Sequence, residues 1–158
     1  EYINPAAQAD YYKHCYEQAW LVSHGELKNF NAETYLGCAL EHYLEDPEAV
    51  SHLYYEDESG GLLDLDTRRG AHAGYGWISL IYLEPEFRHI GCGIQLLSRA
   101  MLKYSRLGRK SLRLHVAEEN TDAINFYRRW GFELLSREPG SSGCLLLMEK
   151  KLVSHEHA

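Results

Sequence analysis

The sequence predicts a single α/β domain, and three observations predict it. Two helical stripes with three- and four-residue apolar spacing come first. Short β-prone runs separated by turn residues follow, and two further helical stripes then alternate with strands. At 158 residues the chain is about the size of one domain, with length to bury a single core.

The first helix is expected over residues 5–24, started by Asn4 and Pro5, with Tyr12, Tyr16, Ala19 and Trp20 on one face and Gly25 as its C-cap. Asn31 caps a second helix carrying Tyr35, Cys38, Ala39, His42 and Tyr43, and Asp46-Pro47 ends it. The tyrosines and histidines of these stripes read as residues at the edge of the core. From Val50 onward, residues 51–56, 62–66 and 75–83 form an antiparallel meander, with Ser59-Gly60-Gly61 and Arg69-Gly70 as its turns.

A third helix holds Ile94, Leu97, Ala100, Met101, Tyr104 and Leu107 and stops at Gly108; Leu112, Leu114 and Val116 then alternate with Arg113 and His115 as a strand. Asn120 or Thr121 caps a fourth helix with Ala123, Ile124, Phe126, Tyr127 and Trp130, closed by Gly131. Strands over residues 132–137 and 144–152 flank a turn at 138–143, and residues 154–158 read as a frayed tail.

Composition narrows the function. Net charge is -7, from 23 acidic and 16 basic residues, so the field repels phosphate backbones and suits cationic partners. Nucleic acid is therefore not an expected partner. No apolar run approaches the ~20 residues that span a bilayer, so neither is a membrane. Cys15, Cys38, Cys92 and Cys144 are widely spaced and no histidines cluster, which argues against both a metal site and a disulfide scaffold and for a reducing, cytoplasmic setting. Glu1 is the first residue, and the chain reads as a processed product or a domain cut from a longer protein.

The stretch with most chemistry is Glu86-Phe87-Arg88-His89-Ile90-Gly91-Cys92-Gly93-Ile94, between a strand ending at Leu83 and a helix. Backbone N–H groups and the positive end of a helix dipole meet an anion in such a turn, and glycines let it come close. The dinucleotide fingerprint needs a third glycine where Leu96 stands, and the mononucleotide loop needs Gly-Lys-Ser/Thr; neither is present.

Arg88-His89-Ile90-Gly91-Cys92-Gly93 resembles the acyl-CoA loop of the general N-acetyltransferase (GNAT) superfamily, and the segment from Asn120 to Phe132, with Ala123, Phe126, Tyr127 and Gly131 at matching spacing, resembles that family's second motif. The resemblance implies a mixed, mostly antiparallel sheet of six or seven strands with about four helices, splayed between the strands ending near Leu83 and Val116 so that acetyl-CoA enters. Tyr2-Ile3 would be the remnant of the usual first strand. It further implies that the backbone from Ile90 to Ile94, in the loop with Arg88 and His89, binds the CoA pyrophosphate. Ile81 and Leu83 would hydrogen-bond the pantetheine arm, and an N–H near Leu83, at a strand bulge, would polarise the thioester carbonyl. The family's small and basic loop positions are His89 and Ile90 here, so one cation is lost and modest CoA affinity is expected.

By the same resemblance Tyr127 lies near the thioester sulfur, where a phenol suits the departing thiolate as general acid. Asn120 reads equally as a helix cap or a pantetheine contact, and Cys92 as a packing cysteine facing pyrophosphate. The strand 77–83 lacks a carboxylate for a general base. Glu84 is taken as the base, with Asp64, His72, Glu118 or a water chain as alternatives. The implied activity is acetyl-CoA-dependent N-acetylation by direct attack of a primary amine on a small molecule or peptide. A non-catalytic CoA-binding regulatory module, or an interaction domain of a larger protein, is the alternative; a homodimer is a separate expectation for either reading.

Overall fold

The computed structural model describes residues 5–28, 30–55, 58–140 and 143–152. Four α-helices and six strands follow in the expected order: α1 (Ala9–His24), α2 (Ala32–Glu45), β1 (Val50–Tyr55), β2 (Glu58–Asp66), β3 (Tyr75–Leu83), α3 (Cys92–Arg106), β4 (Ser111–Ala117), α4 (Thr121–Arg129), β5 (Glu133–Gly140) and β6 (Gly143–Lys151). The Asn31 side chain accepts from the N–H groups of Glu33 and Thr34, as a cap should, and contributes about 1 kcal/mol to α2. The strand remnant at Tyr2-Ile3 and the frayed tail fall outside the described residues.

α1 begins at Ala9, later than its sequence pattern suggests. Residues 5–8 form a turn instead, and the Gln8 amide donates to the Tyr54 hydroxyl at 2.7 Å, so a tie to β1 outweighs helix propensity there. Ser59-Gly60-Gly61 also differs from expectation, lying inside β2 rather than forming a turn. A Cβ on Gly60 would lie 2.9 Å from Phe87, and one on Gly61 would lie 2.4 Å from the Tyr82 carbonyl oxygen. These glycines serve close packing of a strand, not reversal of the chain. At the other end of the sheet, β5 and β6 extend to Gly140 and Gly143, further into the expected 138–143 turn, and Pro139 is accommodated because β5 is an edge strand.

One sheet orders the strands β1-β2-β3-β4-β6-β5, and every neighbouring pair is antiparallel except β3 and β4. That parallel pair is short: Tyr75, Gly76 and Trp77 meet Ser111, Leu112 and Arg113, and the strands then part. Each keeps its other neighbour, β3 pairing with β2 as far as Leu83 and β4 with β6 as far as Ala117. The expected splay between Leu83 and Val116 is present.

The closed end of the splay is heavily pinned. Arg109 donates to the carbonyls of Tyr75 and Thr67 at 2.9 and 2.7 Å, the Lys110 N–H donates to Gly74 O, and the Tyr104 hydroxyl donates to Trp77 O at 2.6 Å. Tyr104 is fully buried, and its ring lies over Gly76 so closely that an added Cβ would sit 2.3 Å from it. Gly76→Ala is therefore expected to destabilise the fold by about 1–3 kcal/mol, the usual size of an overpacking penalty. Urea denaturation of the two proteins checks this, and an unchanged midpoint would contradict the packing at that end of the splay.

Candidate active site

Why β3 leaves β4 is visible in its register with β2. Asp64 faces Leu80 and Leu65 faces Ile78, so Ser79 is an extra residue with no partner in β2. Such a bulge bends and twists its strand. The bulge lies at Ser79, deeper in the strand than the position near Leu83 expected from the resemblance, and two residues beyond the last β3–β4 pair, Trp77 with Arg113. Beyond it, alternate N–H and C=O groups of both strands face a gap rather than each other.

The gap is a cleft of about 840 Å³. β3 from Ile78 to Leu83 and β4 from Leu114 to Ala117 form two walls, α4 and the loop before α3 form another, and the C-terminal half of α1 closes the far side. Of the residues expected at the site, Ile81, Leu83, Arg88, His89, Gly91, Gly93, Ile94, Asn120 and Tyr127 all line this one cleft. Ile90, 66 % exposed, and Cys92 stand off its wall.

The loop is held by its own arginine. Arg88 Nε donates to Leu83 O at 3.0 Å, and its guanidinium lies 5.8 Å from the Tyr82 ring centre. His89 and Gly91 both adopt left-handed conformations, at φ 63° and 88°. At His89 this is unusual for a residue with a Cβ and marks a tightly determined turn. No side chain caps α3, so its first N–H groups remain available.

The two loop glycines do different work. A Cβ on Gly91 would meet nothing within 4 Å, whereas one on Gly93 would lie 2.9 Å from Phe126 of α4. Gly91 borders open space; Gly93 lets α3 and α4 close together.

Asn120 accepts from the Ala123 N–H at 3.3 Å, so it is a helix cap, and it lines the cleft as well. Tyr127 is 9 % exposed, with its ring edge-on to Phe126 and Phe132. Burial raises the pKa of its phenol, which keeps it protonated at neutral pH.

The carboxylates fall in different settings. Glu84 is not among the cleft-lining residues; His14 Nε2 lies 2.8 Å from its Oε1, and the Tyr11 and Tyr82 hydroxyls donate to it at 3.4 and 3.3 Å. Burial, with the Glu84 charge, pushes the Tyr82 phenol up to about 12. Glu118 is exposed and bonded to Arg137, which holds its carboxyl below the usual range, while His72 lies in an exposed turn. Asp64 is fully buried on β2. It accepts from the Tyr16 hydroxyl, and its Oδ1 is 2.7 Å from His42 Nδ1.

Tyr16 and His42 have the spacing of core-edge residues, yet Tyr16 lines the cleft and both hold the buried carboxylate. A signal was present, since Asp64 is a lone charge in the apolar run Leu62-Leu63-Asp64-Leu65. Tyr16, Trp20 and Tyr35 give the α1 side of the cleft an aromatic wall, on which Trp20 Nε1 and His24 Nδ1 are buried without hydrogen-bond partners.

A family profile described as acetyltransferase (GNAT) family matches residues 6–132. The chain belongs to that family. A 53-residue stretch is 42% identical to an uncharacterized N-acetyltransferase of Methanocaldococcus jannaschii, covering 34% of this chain and 24% of that protein, about a quarter of the relative's length. Among solved structures, a ribosomal-protein-alanine N-acetyltransferase from Brucella melitensis superposes with a TM-score of 0.74 at 18% identity, over 96% of this chain and 98% of the other. PaiA N-acetyltransferase from Thermoplasma acidophilum, in complex with coenzyme A, gives 0.72 at 18%, over 96% of each. At these identities the likeness is one of fold. In this GNAT chain no group of three metal-ligating side chains occurs among the described residues, and no described helix is long and apolar enough to cross a membrane.

The His42–Asp64 tie has a pH signature. Burial lowers the His42 pKa, but the Asp64 hydrogen bond and the charges of Asp64, Asp66 and Glu41 outweigh it and raise the imidazole above 6.5. A group whose folded value is raised stabilises fully below its unfolded value, and that contribution is lost as pH rises through the folded value. The thermal stability gap between the native chain and His42→Gln is expected to be larger at pH 6 than at pH 9. Melting curves at the two pH values test the sign.

Proposed function

We propose that this GNAT chain is an enzyme that transfers the acetyl group of acetyl-CoA to a primary amine by direct attack. The reading rests chiefly on the parting of β3 and β4 at the Ser79 bulge with the α3 loop at its mouth. The unpaired strand edges can take up the amide-bearing pantetheine arm as an added strand would be, alongside Ile81 and Leu83. The open side of Gly91 and the uncapped α3 N-terminus suit the pyrophosphate, with the backbone from Ile90 to Ile94 as donor and Arg88 strapping the loop to β3. Backbone N–H groups at the bulge would stabilise the oxyanion. Tyr127, protonated and lining the cleft, would return a proton to the departing thiolate. Glu84, held by three partners, would anchor α1 against the end of β3.

The amine would lie against the aromatic wall of α1 and α2. Its class, a small molecule or a peptide with a free amino group, suits the acidic chain. We further propose a cytoplasmic setting, consistent with four free cysteines, and a homodimer through edge strand β5, where Leu134 and Leu135 are 48 and 45 % exposed.

Calorimetric titration of acetyl-CoA tests the loop. The native chain is expected to bind, Gly91→Glu to lose binding through crowding and repulsion, and Gly91→Ala, which carries the left-handed strain without the charge, to keep most of it. Equal binding by all three proteins would sink the loop assignment. Turnover is then assayed on a polyamine, an alanine-initiated pentapeptide and an amino sugar. Tyr127→Phe is expected to reduce kcat by ~100-fold or more with acetyl-CoA affinity retained, as removal of a general acid does. A kcat within twofold of native would remove Tyr127 from that role.

A further inference from the structure

The cleft and a second pocket are joined by a chain of titratable side chains, buried at Tyr16 and Asp64 and partly exposed at His42 and Asp66. Tyr16 on α1 lines the cleft and donates its phenol O–H to Asp64 Oδ2. Asp64 Oδ1 lies 2.7 Å from His42 Nδ1 on α2, and His42 Nε2 lies 3.6 Å from Asp66 Oδ2. His42 lines the second pocket, about 380 Å³, together with Glu41, Glu45, Asp66, Arg68 and Arg69.

Three features separate this chain from an ordinary structural tie. Asp64 is 0 % exposed in an apolar run, where an ionised carboxylate is costly unless paired. It stands opposite Leu80, next to the register break that frees Ser79, and so at the level where the cleft opens. Its phenol partner Tyr16, 7 % exposed, lines the cleft while also packing in the core.

We propose that the Tyr16–Asp64 pair, bonded in turn to His42, accepts the proton that the acceptor's ammonium must lose before its nitrogen attacks. This rests on the acetyl-transfer reading of the cleft. As the acceptor N–H bond breaks, nitrogen keeps the electron pair for attack on the thioester. Its proton passes to Tyr16 Oη while the phenol's own proton moves to Asp64 Oδ2. When the amide product has left, Asp64 returns the proton by the same route to water in the emptied cleft. Tyr16 is the group that meets the amine; Asp64 and His42 act through it as positioning residues.

The electrostatics agree with this geometry. Burial, then the Asp64 charge, raises the Tyr16 phenol well above 10, so it is not a free phenolate base but passes a proton on. Around Asp64 the titratable neighbours are Tyr12 and Tyr16 on α1, Cys38 and His42 on α2, and Tyr104 on α3. Around His42 they are Asp64, Asp66, Glu41 and Glu45, with Arg68 and Arg69 in the same pocket.

The test compares the native chain with Tyr16→Phe, Asp64→Asn, Asp64→Glu and His42→Gln. It uses acetyl-CoA calorimetry, melting curves and kcat/KM against pH with the best acceptor of the amine panel. Tyr16→Phe is expected to bind acetyl-CoA within about twofold of native and to lose ~100-fold or more in kcat. Asp64→Asn loses as much and its acid limb disappears, while Asp64→Glu recovers part of both. His42→Gln moves the acid limb upward, because a cation beside the relay is lost. A structural tie would lower the melting temperature of these variants without moving the limb. Tyr16→Phe within twofold of native kcat, or a His42→Gln limb that stays in place, overturns the relay and leaves acetyl transfer standing. A native chain that binds no acetyl-CoA overturns acetyl transfer itself, and the relay with it.

Discussion

Everything at the candidate site depends on β3 and β4 ceasing to be neighbours after three residue pairs. A sheet gains by pairing its strands, so the parting has to be imposed. Two constraints impose it: the unpartnered Ser79 bends β3, and β4 is committed along its whole length to β6. The closed end withstands the parting because Arg109, Lys110 and Tyr104 tie it to backbone carbonyls on or beside β3. Backbone groups left unpaired along the gap carry a cost, and on the proposed reading they are the ladder that an extended, amide-bearing ligand would complete.

A second constraint is the carboxylate beside that opening. Removing His42 would leave the Asp64 carboxylate in the core with the Tyr16 hydroxyl as its remaining partner, and interior ion pairs are weak contributors to net stability. Apolar residues of similar volume could fill the same space. That Asp64, Tyr16 and His42 occupy it, on three separate elements and beside the bulge, is more economically explained by chemistry in the cleft than by stability.

The order of elements was legible in apolar spacing and capping residues; the splay was implied by the resemblance of two local motifs, and nine of the eleven residues that resemblance singles out line one cleft. The departures have one cause in common. Gly60 and Gly61 look like turn residues until Phe87 and the Tyr82 carbonyl are seen against them, and Gly93 looks like room for a ligand until Phe126 is seen there. What a glycine is for depends on partners remote in sequence, which local pattern does not carry. The bulge at Ser79 escaped for the same reason, being a property of the register between two strands. Tyr16 and His42 have the spacing of core residues; only their convergence on Asp64 distinguishes them.

The arginine of the loop shows how a motif residue acquires a second duty. Its spacing before Gly91 and Gly93 suggests a cation near phosphate, but its Nε is occupied by the Leu83 carbonyl and its charge sits over the Tyr82 ring. Arg88 thereby fixes where the loop stands relative to the strand whose edge forms the cleft wall. With His89 and Ile90 in the two positions that follow, the loop depends on backbone geometry more than on side-chain charge. On the proposed acetyl-transfer reading, recognition of CoA would then rest on the left-handed turns at His89 and Gly91 and on the uncapped turn of α3, and selectivity for the acceptor on the opposite wall, where Tyr16, Trp20 and Tyr35 line the same cleft.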